Sequence, residues 1–372
     1  MPAKGDGISK REDGRFMAHY TVHTPNGPKR KTIYGRRYKE VEKKLAEARG
    51  DAARGLVFDA DNLKLDEYLD RWLADSVADT VRPSTFERYE QIVRVHIRPA
   101  LGNLKLKNVT PAHVRGLYRE KLQVGLSPRT VQYVHVTLHK ALKQAVADGL
   151  IPRNTTEAVR PPQVRKEEIR PLTAEQVKTL FEAVQGDRLE ALFTLAVHTG
   201  LRQGELLGLK WGDVDLEAGT LQVRRTLTTG KGCPMLSSPK TKGSRRTVKL
   251  SQTALEALRS HLERQLTEID QAGDLWHENG LIFATEWGEF LNRHYLTTHR
   301  FKPLLKRAGL PQIRFHDLRH TCATLLLLKN VNPKIVSEML GHSSIAITLD
   351  TYSHVLPNMQ NEAAAAMEDA LT

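Results

Sequence analysis

The sequence predicts a multidomain, mainly α protein with small β elements, and three observations lead there. A chain of 372 residues has room for several cores, since domains commonly run to about 100–150 residues. Its first part alternates in the manner of strands, and its second is built of helical periods opened by N-cap and proline pairs. Its last part returns to helices after a short interval of period two. The expected divisions are a small β-sheet plus helix over residues 1–59, a helical domain over 60–152, a linker over 153–170, an α+β domain over 171–357 and a tail helix over 358–372.

In the first division R-F-M-A-H-Y-T-V alternates as a strand does, P-N-G-P marks a turn, and K-R-K-T-I-Y-G-R-R-Y supplies a second strand. A helix is expected from Lys39 to Arg54. Residues 1–58 hold fourteen Lys and Arg against seven Asp and Glu, so this stretch supplies over half of the chain's formal charge of +13. Lys29, Arg30, Lys31, Arg36 and Arg37 fall on or beside the strands. Such a run is either a solvated surface or a grip on phosphates.

The second division reads as four helices. Tyr68, Leu69, Trp72 and Leu73 mark one apolar face, and Ser84-Thr85-Phe86-Glu87 has the form of a capping box. Thr110-Pro111 and Ser127-Pro128 each pair an N-cap with proline at the first helical position. The fourth helix should run from Pro128 to Asp148 and stop at Gly149. Arg82, Arg88, Arg94, Lys140 and Lys143 are candidate phosphate contacts, with solvated helix faces as the plain alternative. Pro152, the pair Pro161-Pro162 and the mixed run Arg165-Lys166-Glu167-Glu168 mark the linker.

Composition narrows the function classes. A charge of +13 and a pI near 9.7 point to a polyanionic partner, above all nucleic acid. Cys233 and Cys322, far apart in the chain, offer neither a disulfide framework nor a cysteine-type zinc site. No apolar run approaches membrane-spanning length and the charged amino terminus lacks a signal-peptide core. A cytoplasmic protein with no membrane partner is therefore expected.

The third division carries the chemistry. Thr173-Ala174-Glu175-Gln176 opens it with a capping box. A helix then runs into Thr199-Gly200, and the turn after it holds Arg202, with Glu205 placed to orient the guanidinium. Thr220–Val223 and Arg246–Leu250 read as strands around S-P-K-T-K-G-S-R. Trp276, Phe283 and Trp287 are expected in the core. Further on, His316 and Arg319 share one face of an apolar helical pattern, with Leu318, Cys322, Leu325 and Leu326 on the buried face. Asn332-Pro333 opens the next helix, Leu340-Gly341 closes it, and His342 follows directly, ahead of Tyr352. Arginine forks hold phosphate oxygens, histidines donate or move a proton, and a tyrosine serves as a covalent nucleophile. The set suits phosphoryl transfer.

With these motifs in view, the chain from about Pro171 onward resembles the tyrosine recombinases of the phage integrase family. T-G-L-R-Q-G-E-L resembles the family's first box, H-D-L-R-H-T and L-G-H its second, and Tyr352 its nucleophile. The resemblance implies an amino-terminal domain for arm-type DNA, a helical core-binding domain and an α+β tyrosine-recombinase catalytic domain. It implies a catalytic set of Arg202, Lys240, His316, Arg319, His342 and Tyr352, with Lys242 and then Lys231 as alternatives to Lys240. In that scheme Tyr352 attacks a DNA phosphate and leaves a 3′-phosphotyrosyl bond, while the two arginines and His342 hold the oxygens. Lys240 protonates the departing 5′-oxygen and His316 assists proton removal from Tyr352; His320 is left in a supporting place, and Tyr295 is the competing tyrosine. Two arginines neutralising the charge leave no need for a metal or other cofactor.

The implied partners are double-stranded DNA with core-type and arm-type sites, a homo-tetramer on that DNA, and accessory DNA-bending proteins or an excision factor. The implied outcome is integration or excision of a phage or other mobile element. The alanine-rich, acidic tail predicts a short helix that docks on a neighbouring subunit. A type IB topoisomerase-like enzyme, or a sequence-specific DNA-binding protein without catalysis, shares parts of the pattern.

Overall fold

The structure, a computed structural model, describes residues 7–24, 27–53, 62–164, 170–230, 233–238, 245–352 and 367–371. The chain divides into two units, Met1–Lys166 and Glu167–Thr372.

In the first unit, β1 (Ile8–Lys10), β2 (Phe16–Thr24) and β3 (Gly27–Gly35) form an antiparallel sheet in that order. Helix α1 (Tyr38–Ala53) covers one face, where Ala18, Val41 and Leu45 are buried among Ile8, Phe16, Tyr20 and Ile33. Side chains alternate across a pleated sheet. Lys31 therefore shares the covered face with Ile33, whereas Arg30 shares the open face with Thr32 and Tyr34. The register sets Thr21, His19 and Met17 opposite these three, and His19 Nδ1 lies 2.9 Å from the Thr32 hydroxyl. Arg36 and Arg37 are exposed in the turn before α1, and Lys29 pairs with Val22. The basic residues of the strand are thus split between two faces.

The helical part follows. Helix α2 (Leu65–Arg71) runs on as a π-helical stretch to Val77, and α3 (Pro83–Ile92) continues through Val93–Ile97 into α4 (Arg98–Leu101). Helices α5 (Pro111–Gln123) and α6 (Pro128–Ala147) complete it. Ser127 Oγ accepts from the Thr130 backbone at 3.2 Å, as its position before proline predicts. The capping box expected at Ser84 does not form the boundary. Helix α3 starts two residues earlier, with Pro83 in its first turn and Arg82 as the cap before it, because the fixed φ of proline sets the start and leaves Ser84 inside the helix. Tyr68, Leu69, Trp72 and Leu73 are buried together with Leu138 and Leu142, each large apolar side chain contributing roughly 1.5–3 kcal/mol. The buried Tyr68 hydroxyl is satisfied by donating to the Ala141 carbonyl at 2.7 Å. Of the basic residues here, Arg94 pairs with Glu90, Lys140 donates to the Tyr89 hydroxyl, and Arg88 lies over the Tyr133 ring.

In the second unit the Thr173–Gln176 box opens α7 (Ala174–Val184) in both directions. Helices α8 (Glu190–Thr199) and α9 (Gln203–Leu206) follow. Then come β4 (Val214–Asp215), β5 (Thr220–Val223), β6 (Thr226–Gly230), β7 (Cys233–Ser237) and β8 (Arg246–Lys249). The two strands read from sequence, β5 and β8, do pair, antiparallel with Gln222 opposite Thr247, and β4 joins them on the other edge of β5. The chain between them makes a separate hairpin of β6 and β7. Helix α10 (Gln252–Ala272) comes next, and then α11 (Arg293–Tyr295) passes through a π-helical stretch, Leu296–Phe301, into α12 (Lys302–Arg307). The unit closes with α13 (Asp317–Leu328), α14 (Pro333–Leu340) and α15 (Ile345–Tyr352).

Nearly every residue of α8 is buried, so it runs through the middle of the main core, where Phe193 stacks on Phe301 and Phe315 packs against both rings, edge-on to Phe301. Phe283 is buried as expected, but Trp287 is 48% exposed. It lies in the turn between the bridged residues Ala284 and Phe290, where a side chain points outward. A second, smaller cluster of Ala323, Leu327, Val336, Leu340 and Tyr352 ties α13, α14 and α15 together. Among the described residues no helix is long and apolar enough to cross a membrane. Met367–Leu371 is helical, and the rest of the predicted tail helix lies outside the described residues.

Candidate active site

Helix α8 ends on Gly200, whose φ of 60° is a left-handed value that glycine adopts without strain. A side chain there would run into Leu340 and Cys322. The tight exit turns the chain so that Arg202 stands at the start of α9. Its backbone N–H and its Nη1 both donate to Glu205, at 3.0 and 2.8 Å, and Nη2 donates to the Gly341 carbonyl at 3.3 Å. Glu205 was expected to orient this arginine, and it does.

Glu205 also receives Arg246 from β8, through Nη2 at 3.0 Å and Nη1 at 3.4 Å. Burial alone would raise the carboxyl pKa, but the hydrogen bond and charge of Arg246, with Arg202 after it, hold it below the usual carboxylate range. Arg246 carries no recognisable motif. Its one sequence signal is its place on the strand that follows the lysine-bearing segment.

Arg319 is 3% exposed on α13. Its Nη1 donates to the carbonyls of Gly200, at 2.9 Å, and Leu340, at 2.7 Å, so one guanidinium nitrogen joins the ends of α8 and α14. Its Nη2 is buried and has no hydrogen-bond partner among the described residues. Desolvation, and then the nearby charge of Arg202, lower its pKa to about 10; at neutral pH it remains a cation.

Three histidines and the tyrosine complete the cluster. His342 follows Gly341, the left-handed residue that ends α14, and its Nδ1 lies 2.8 Å from the Thr348 hydroxyl. Burial and the charges of Arg319 and Arg202 push its pKa down to about 4. His316 directly precedes α13 and is exposed. The protein packed around it, and then the charges of His320 and Arg319, also lower its pKa to about 4. Both rings are neutral at physiological pH and offer a donor and an acceptor each.

Tyr352, the last residue of α15, is 1% exposed within the small cluster. Its hydroxyl lies 2.7 Å from Nδ1 of His320. Burial pushes the phenol pKa up to about 12, against the opposing pull of Arg319. The rings of His316 and His320 meet edge to face at 5.1 Å. His320, left in a supporting place by the sequence reading, is thus the histidine on the phenol. Tyr295 is 53% exposed and stacks on His299. Lys240, Lys242 and Lys231 lie outside the described residues.

A mainly helical domain that surrounds one buried tyrosine with guanidinium and imidazole groups is the frame of a tyrosine-type DNA strand-exchange enzyme. Residues 170–359 match the phage integrase family and residues 64–122 match its N-terminal SAM-like domain, and the chain belongs to the phage integrase family of tyrosine-type site-specific recombinases. It is 35% identical over 359 residues, spanning 91% of this chain and 92% of the relative, to a tyrosine recombinase XerC-like protein of Caldanaerobacter subterraneus subsp. tengcongensis. Among solved structures it is similar to the Tn1549 transposon integrase in complex with transposon right end DNA, with a TM-score of 0.69 and 22% identity over 83% of this chain and 100% of that one. It is also similar to a lambda integrase tetramer bound to a Holliday junction, with a TM-score of 0.58 and 21% identity over 92% of this chain and 96% of that one.

Proposed function

We propose that this recombinase cleaves and rejoins double-stranded DNA through a 3′-phosphotyrosyl bond made by Tyr352, and so inserts or excises a phage or other mobile element. The observation that carries the reading is Arg319 Nη2. A buried guanidinium donor without a partner among the described residues is costly to keep, and a phosphate oxygen held jointly with Arg202 would satisfy it. Arg202, Arg319 and His342 then stabilise the charge that builds up on the phosphoryl oxygens. A lysine of the segment before β8, Lys240 first, protonates the leaving 5′-oxygen. The charge balance of two guanidinium groups asks for no metal ion or other cofactor.

Four copies act together on core-type DNA, in keeping with the tetrameric lambda integrase complex to which the chain is similar. The open face of the amino-terminal sheet, with Arg30, Thr32 and Tyr34, reads arm-type DNA, and the exposed Arg36 and Arg37 hold its phosphates. Residues 60–152 grip the core site, and the tail over 358–372 docks on the neighbouring subunit. Accessory bending proteins or an excision factor set the direction, and the work is done in the cytoplasm, where the DNA lies.

The test is a nicked suicide duplex carrying the junction sequence that flanks the gene of this chain. The wild-type protein should become covalently attached to the DNA, and Tyr352→Phe should bind the duplex without attachment. Attachment by the Tyr352→Phe protein would move the nucleophile elsewhere, with Tyr295 next to examine.

A further inference from the structure

The reaction needs the Tyr352 proton removed as the phenolic oxygen attacks, and the family resemblance gives that task to His316. The geometry assigns it differently. Among the described residues, the basic group within hydrogen-bond distance of the Tyr352 hydroxyl is His320, Nδ1 to Oη at 2.7 Å. The tyrosine and His320 rings lie 5.7 Å apart at a tilt of 56°, and the His316 and His320 rings meet at right angles. His320 and Arg319 are consecutive on α13. One helix therefore carries both the group that touches the nucleophile and a guanidinium available to the phosphate.

We propose that His320 Nδ1 is the base that accepts the Tyr352 proton in strand cleavage, a step that rests on the reading of Tyr352 as the nucleophile. The Oη–H bond breaks as Nδ1–H forms, and the phenolic electron pair makes the bond to phosphorus. The P–O5′ bond breaks, and the leaving oxygen takes its proton from a separate acid. In rejoining, the incoming 5′-hydroxyl gives its proton back to that same acid as it displaces Tyr352, and the His320 imidazolium returns its proton to the phenol. Protons and charge balance over the cycle.

The surroundings suit the role. His320 is faced by Asp317, Arg314, Arg319 and His316 from its own helix and the turn before it, by Tyr352 from α15, and by His342 beyond α14. Burial, with Arg314 and Arg319, lowers its pKa against the pull of Asp317. A neutral ring protonated on the far nitrogen presents Nδ1 as an acceptor, which the phenol O–H needs.

The test uses the full chain on the same suicide duplex in single-turnover cleavage. His320→Ala and His320→Gln should bind DNA as wild type does and lose roughly 10²–10⁴-fold in cleavage rate, the usual worth of a positioned base. The loss should shrink as pH rises, because the phenol begins to ionise unaided. A 5′-bridging phosphorothiolate, whose sulfur leaves without a proton, should not restore the rate. Glutamine keeps a hydrogen bond to Tyr352 but cannot take its proton. His320→Gln cleaving within about three-fold of wild type would therefore show mere anchoring and overturn the proposal. A pH-independent loss, or rescue by the sulfur leaving group, would overturn it too. Should His320→Ala fail to fold, the near-isosteric glutamine variant carries the same readouts. Failure of wild-type attachment would instead undo the reading of Tyr352 itself.

Discussion

Arg246 and Glu205 meet fork to carboxylate inside the catalytic domain, with N–O distances of 3.0 and 3.4 Å. The remaining nitrogen of the fork, Nε, donates to the Met339 carbonyl at 2.6 Å. One side chain thus fixes β8, α9 and the end of α14 to each other, and the last two of these elements position Arg202 and His342. Glu205 is 4% exposed. A carboxylate so placed is tolerable because two guanidinium groups share it.

Glu205→Gln keeps the shape and removes the charge, leaving Arg246 buried beside a neutral amide. Breaking a buried pair from one side costs about 3–5 kcal/mol, so the urea midpoint should fall and cleavage with it. Arg246→Lys keeps a cation but not the fork; its larger effect should be on cleavage. Wild-type midpoint and rate in the Glu205→Gln protein would reject the pairing as a support of the site.

Arg202→Lys and Arg319→Lys each retain charge and lose planar geometry. Losing one preorganised donor should lower strand cleavage by roughly 10²–10³-fold. DNA binding should change little. Single-turnover rates within about three-fold of wild type would exclude the arginine as a phosphoryl clamp.

The histidines give stability a pH dependence whose sign can be worked out. His316 and His342 have folded pKa values of about 4 against an ordinary 6.5. Between those values the unfolded chain binds protons that the folded one does not, so stability falls as pH drops through this window and levels off below it. Above it these groups contribute no slope. Urea midpoints should therefore decline from about pH 7 to about pH 5, before carboxylates take part. The double variant His316→Gln, His342→Gln should show a shallower decline; an unchanged slope would place its source in other groups.

Gly341 holds φ at 68°, and a Cβ on it would lie 2.8 Å from Arg246 Nη1. Gly341→Ala should destabilise by more than about 1 kcal/mol, combining left-handed strain with displacement of the fork. Cleavage should suffer beyond what stability explains, since the Gly341 carbonyl also receives Arg202. Thermal melting and a single-turnover assay would check the pair of effects.

Much of the site was legible because the chemistry lies in short motifs at helix ends. Arg202 with Glu205, His316 with Arg319, and His342 after Gly341 each sit within a few residues of a cap or a turn, where local rules hold. His320 was not legible as a partner of Tyr352. The two are 32 residues apart, and only the packing of α15 on α13 brings them together. Arg246 escaped for the same reason, its partners lying 41 and 93 residues away. Strands β6 and β7 were missed because their pairing, Thr228 opposite Met235 and Thr229 opposite Pro234, leaves little apolar alternation to read. Ser84 and Trp287 show the limit from the other side: a capping pattern yielded to a neighbouring proline, and a large apolar residue sat in a turn.

The small cluster of Ala323, Leu327, Val336, Leu340 and Tyr352 is separate from the main core around α8. A satellite of five buried side chains should behave as a unit of its own, opening while the larger core stays shut. The amides of Ile345–Tyr352 should then exchange with solvent deuterium well before those of Glu190–Thr199. That local opening should cost a free energy far smaller than unfolding the domain.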